Sequence, residues 1–199
     1  MSSPEVNTAQ WSPWKMAATG LCVMALFGAF LSWPLVRFTE EEIYITACPE
    51  YVEVTGYYIY QNPFPFPVVQ GFSIPFPVDR DHPEPLAVHV VRTDKGERAI
   101  PVVELFGTCR FDLRFAANET IPLRVRYCQY APTREARYIL TTTQPWGRPM
   151  SKAKYRLYPK KVTITDSNYP LDPREGGALG FERRDFMPEA DWAFAWEVP

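Results

Sequence analysis

Residues 111–127 read Phe111-Asp112-Leu113-Arg114-Phe115-Ala116-Ala117-Asn118-Glu119-Thr120-Ile121-Pro122-Leu123-Arg124-Val125-Arg126-Tyr127. Phe111, Leu113 and Phe115 alternate with Asp112 and Arg114. Leu123, Val125 and Tyr127 alternate with Arg124 and Arg126. Such period-two alternation marks a strand with one face on a core and the other in water. Repeated along a chain, it predicts an antiparallel, sandwich-like sheet domain.

The same pattern extends in both directions. Val52 and Val54 alternate with polar residues, and Tyr57 to Tyr60 is rich in strand formers. Ala87 to Val91 and Ile100 to Phe106 flank Asp94-Lys95-Gly96-Glu97, a hairpin-turn sequence. Tyr138, Leu140, Tyr155, Leu157, Val162 and Ile164 close the series. No amphipathic helix is legible after residue 40 and no fixed-period repeat appears. The β domain is therefore expected over residues 43–165.

Two regions interrupt it. Residues 62–85 contain Pro63-Phe64-Pro65-Phe66-Pro67 and Ile74-Pro75-Phe76-Pro77. Alternating proline removes backbone donors and favours a stiff, extended chain. Phe64, Phe66, Phe72 and Phe76 would then project from a pre-ordered arm, either to dock a partner or to cap the core. Residues 166–199 are rich in turn residues and show no sustained period. They hold Trp192, Phe194 and Trp196, which suggests an extended tail ordered against a partner.

Upstream lies a run of another kind. Between Lys15 and Arg37 no side chain is charged. The 21 residues Met16 to Val36 would span about 31 Å as a helix, the thickness of a bilayer's hydrocarbon core. Residues 14–36 are therefore expected to form one transmembrane helix, after a short tail of residues 1–13 and before an acidic link of residues 37–42. Trp11, Trp14 and Trp33 would sit at the interfaces with Lys15 and Arg37. Ala18, Cys22, Ala25, Ala29 and Ser32 fall on one stripe at helical spacing, and small stripes let a second helix approach. Between Lys15 and Arg37 the span offers no imidazole to ligate a pigment and no carboxylate to relay protons.

Charge and cysteine content narrow the rest. The formal net charge of −2 gives no electrostatic footprint for nucleic acid. The positive-inside rule leans toward a cytoplasmic N-terminus and an extracytoplasmic, periplasmic-type domain. Cys109 and Cys128 lie in successive strand-like runs. They are either bridged in an oxidising compartment or reduced and buried. Asp79-Arg80-Asp81-His82-Pro83-Glu84 resembles a metal loop in composition, but its spacing fits no known cation loop and Arg80 opposes a cation. No motif for a nucleophile, a phosphate loop or a structural metal is present.

These features together predict a non-catalytic accessory subunit of a larger membrane complex, of respiratory or photosynthetic type by analogy. It would need no cofactor. Its partners would be other membrane-protein subunits and the lipid bilayer. The alternative is a membrane-tethered extracytoplasmic binding module or assembly factor.

Overall fold

The computed structural model describes residues 34–199. The predicted span, its stripe (Ala18, Cys22, Ala25, Ala29, Ser32) and the interface residues Trp11, Trp14, Lys15 and Trp33 lie outside the described residues. Among the described residues no helix is long and apolar enough to cross a membrane. Arg37 is described, and it opens the first strand with an exposed side chain.

The described chain is an all-β domain. Its strands are β1 (Arg37–Ala47), β2 (Tyr51–Gln61), β3 (Val68–Pro75), β4 (Leu86–Arg92), β5 (Arg98–Ala99), β6 (Val103–Leu105) and β7 (Thr108–Phe115). They continue with β8 (Thr120–Tyr130), β9 (Glu135–Tyr138), β10 (Met150–Pro159), β11 (Thr163–Ser167), β12 (Asp172–Pro173), β13 (Leu179–Phe186) and β14 (Trp192–Glu197). One large sheet has the order β12-β13-β10-β1-β2-β8-β4-β5. Two smaller ones have the orders β3-β7-β6 and β11-β14-β9. A 3-10 turn, Thr141–Trp146, follows β9.

Period-two burial builds the core as the sequence predicts. On β2, Val52, Val54, Tyr58 and Tyr60 point inward. On β8, Ile121, Leu123, Val125 and Tyr127 do the same. The small sheets close over this face. Phe72 of β3 meets Tyr60 at 4.7 Å between ring centroids, and Trp192 of β14 meets Tyr155 of β10 at 5.9 Å. The packing is thus sandwich-like, with a seam between the two smaller sheets.

Four expectations change. The sheet is mixed, because β1 runs parallel to β10. A parallel pair needs a long crossover, which local alternation does not encode. Residues 37–42 form the first half of β1 instead of a link. Residues 166–199 are not a free tail: β12, β13 and β14 all lie there and pair within the domain. The proline-rich segment is not a free arm, since Val68–Pro75 is a regular strand paired with β7. Residues 68–74 lack proline, and β3 is an edge strand, where a terminal Pro75 costs no ladder bond. The preceding bend is held by Asn62, whose Nδ2 donates to the Phe66 and Ala116 carbonyls, both at 2.8 Å.

Candidate functional site

The centre of the domain holds a carboxyl group. In β1 the inward residues are Phe38, Glu41, Ile43, Ile45 and Ala47. A β-bulge sets this phase: Phe38 faces Tyr60 and Glu40 faces Ile59, so Thr39 is the extra residue. Thr39 fixes the kink by donating from its hydroxyl to the Ile59 carbonyl at 3.1 Å. Of the three consecutive glutamates, the middle one therefore enters the core while Glu40 and Glu42 remain outside.

Glu41 is surrounded by phenols. Tyr155 donates to its Oε2 at 2.6 Å and Tyr138 to its Oε1 at 3.0 Å. Tyr58 and Tyr138 share a further hydrogen bond of 2.7 Å between hydroxyls. Tyr58 and Tyr60 come from β2, Tyr127 from β8, Tyr138 from β9 and Tyr155 from β10. Burial pushes the Glu41 carboxyl from 4.5 up to about 7, and the bonds from Tyr155 and then Tyr138 oppose that rise. Burial, followed by the nearby Glu41 charge, raises the Tyr58, Tyr60, Tyr127, Tyr138 and Tyr155 phenols above their ordinary range. Among the described residues Glu41 makes no ion pair.

A cavity of about 60 Å³ adjoins this network. Its inner wall is Glu41 with Tyr58, Tyr127 and Tyr138, and its aromatic side is Phe38, Tyr60, Phe72 and Trp146. Ser73, Ile74 and Pro75 of β3, with Ile139 and Thr142, complete its lining. Ser73 is exposed and the other four are half-buried, so the cavity reaches the surface at the seam between the small sheets. That volume holds a few waters or a very small ligand group.

The residues expected to dock a partner are placed differently. Phe72, Phe76, Trp192, Phe194 and Trp196 are buried in the domain's own core. Phe64 is half-buried and stacks on Phe66 with centroids 5.1 Å apart; Phe66 is 54% exposed. Core capping, the other reading of the arm, describes Phe72 and Phe76, and the tail aromatics join the same core. Cys109 and Cys128 are free thiols. Cys109 points into the core from β7, and burial raises its thiol to about 11. Cys128 follows the inward Tyr127 and so lies on the opposite face of β8. The two side chains point away from a common space, which is why consecutive strands do not bridge here. In the Asp79–Glu84 loop, His82 Nδ1 lies 2.7 Å from Asp79 Oδ1. No group of three or more His, Cys, Asp or Glu placed to hold a metal ion occurs among the described residues.

Sequence reasoning missed Glu41. A signal existed: Ile43 and Ile45, extended backward by two, arrive at 41. The bulge hid it, because continuing from Phe38 in steps of two gives Glu40 and Glu42 instead.

No protein-family model matches the chain, and no curated protein matches its sequence. The chain is similar to solved structures. One is described as a "putative nutrient binding protein" from Legionella pneumophila. It has a TM-score of 0.65 at 12% identity, over 82% of this chain and 67% of that one. Another is an M1 zinc metallopeptidase from Deinococcus radiodurans, with a TM-score of 0.44 at 9% identity, over 80% of this chain and 42% of that one. The Legionella likeness bears on the fold alone, and the Deinococcus one is too distant to argue from.

Proposed function

We propose that the chain is a membrane-tethered, non-catalytic binding module whose β domain takes a small ligand at the Glu41 cavity. The cavity itself carries this reading. A core that only had to be stable would close over apolar side chains, yet this one keeps an ionisable group beside open volume that reaches the surface. The uncharged run from Met16 to Val36 supports the tether. The positive-inside lean supports a cytoplasmic N-terminus with the domain on the extracytoplasmic side. The absence of any nucleophile or metal motif in the sequence supports binding over catalysis.

A second reading, the accessory subunit of a membrane complex, is favoured by one separate observation. Val103 and Leu105 of β6 and the following Phe106 are 60%, 47% and 85% exposed. They make an apolar rim on an edge strand, a surface suited to contact with another subunit.

Purification of the full chain in mild detergent, followed by native mass spectrometry, separates the two. A monomer supports the tethered module. Recovery in fixed stoichiometry with other membrane proteins supports the subunit and counts against the proposal.

A further inference from the structure

We propose that the Glu41 cavity receives a slender primary ammonium group, which enters between β3 and the Thr141–Trp146 turn and sets its charge on the Glu41 carboxylate. This rests on the reading of the domain as a small-ligand module, and it names the ligand's chemical class.

Three observations converge on it. First, among the described residues Glu41 is the only Asp, Glu, Lys, Arg or His in the cavity lining; the other polar side chains there belong to Tyr, Ser, Thr and Trp. A buried carboxylate without a cation is costly, and Glu41 has only neutral donors around it. An entering cation would supply the missing charge. Second, the wall beside it is aromatic. Trp146 lies 5.9 Å from Phe38, 5.4 Å from Tyr60 and 5.9 Å from Phe72, centroid to centroid. Aromatic faces attract an ammonium group and tolerate the methylenes behind it. Third, the space is small. About 60 Å³ is well below the roughly 150 Å³ that accommodates benzene. It admits an ammonium with one or two methylenes and leaves the rest of a longer amine in the opening beside Ser73. A metal ion fits less well, because hard cations ask for six or more oxygen ligands.

The proton balance is simple. Where Glu41 is protonated, binding converts R–NH3⁺ and Glu–COOH into the R–NH3⁺/Glu–COO⁻ pair, and one proton goes to solvent. The titratable groups facing Glu41 are Tyr58 and Tyr60 from β2, Tyr127 from β8, Tyr138 from β9 and Tyr155 from β10. All are held neutral through the physiological range. Glu41 therefore governs the pH dependence alone.

The test is calorimetric titration of the full chain in mild detergent with methylammonium, methanol and tetramethylammonium. Methylammonium is expected to bind at pH 8 and to bind about tenfold more weakly at pH 6, with proton release. Methanol and tetramethylammonium are expected to fail, the first for want of charge and the second for size. Glu41→Gln, checked for folding by circular dichroism, is expected to lose methylammonium binding. Ser73→Trp, an exposed change at the opening, is expected to lose it with the fold intact. Equal binding of methanol and methylammonium, unaffected by Glu41→Gln, overturns the ammonium assignment and leaves the binding module standing. No binding of any probe at either pH overturns both.

Discussion

At the scale of single residues, Glu41 makes a prediction that needs no ligand. Its carboxyl is held at about 7, against 4.5 for the unburied group, because burial disfavours its charge. Between those values the folded protein keeps a proton that the unfolded chain has lost. The stability linked to Glu41 is therefore fully present below pH 4.5. It falls as pH rises to about 7 and is then flat. At 1.36 kcal/mol per unit, the loss is roughly 3 kcal/mol. Urea midpoints measured from pH 4.5 to 8 should show this decline, and Glu41→Gln should flatten it. An unchanged slope in the variant would assign the decline to other groups. A second residue controls the same network from behind. Gly56 lies on the inward face of β2, and a Cβ there would approach the Tyr58 hydroxyl to 2.3 Å. Glycine is needed for space, since Tyr58 leans back over it to reach Tyr138. Gly56→Ala is expected to push the ring away, break the Tyr58–Tyr138 bond and cost about 1–3 kcal/mol through overpacking and a lost buried partner. Thermal melts of Gly56→Ala against Tyr58→Phe check it: the alanine variant should melt lower than the phenylalanine one, which removes the bond alone.

At the scale of elements, the two aromatic populations of the proline-rich region should respond in opposite ways. Phe72 is 6% exposed and packs on Tyr60, Phe111 and Trp146. Phe72→Ala should cost about 3–5 kcal/mol, the usual loss for a large buried ring. Phe66, stacked on Phe64 at the surface, should change stability by about 0.5 kcal/mol or less when replaced by alanine. Denaturant melts of the two variants decide it, and similar losses would mean that Phe66 is buried in solution. These elements also mark what was legible. The runs at Phe111–Phe115 and Leu123–Tyr127 alternate cleanly and form β7 and β8 with the expected face buried. Trp192, Phe194 and Trp196 alternate equally well and are the inward residues of β14. The surrounding Asn, Pro and Gly turns masked that short strand, and one of its two partners, β9, lies more than fifty residues earlier. Cys128 was readable too: two steps of alternation from Val125 put Tyr127 inward and Cys128 out. What no local pattern encodes is pairing across the chain, such as β1 beside β10, or a bulge like the one at Thr39. The candidate site depends on both, since Tyr155 reaches Glu41 from β10 and the bulge turns Glu41 inward.

At the scale of the whole molecule, the question is which surface meets another protein. The core takes up most of the aromatics expected to dock a partner, and the β6 edge carries an exposed apolar rim. There Val103, Leu105 and Phe106 stand exposed, and among the described residues no strand lies on the outer side of β6. An exposed apolar edge is a liability in a free protein and an asset in an assembled one. None of the three side chains contributes to the buried core. Val103→Lys combined with Phe106→Ser should therefore leave the melting temperature within about 2 °C of the parent, as surface changes generally do. If the chain is a subunit, the same double change should remove it from its complex in mild detergent. If it works alone as a tethered binder, the change should leave methylammonium titrations untouched and make the protein less prone to self-association. Native mass spectrometry reads both arms. A melting temperature lowered by ten degrees or more would show that the edge is part of the fold. Unaltered recovery of a stoichiometric complex would move the subunit contact elsewhere, away from β6.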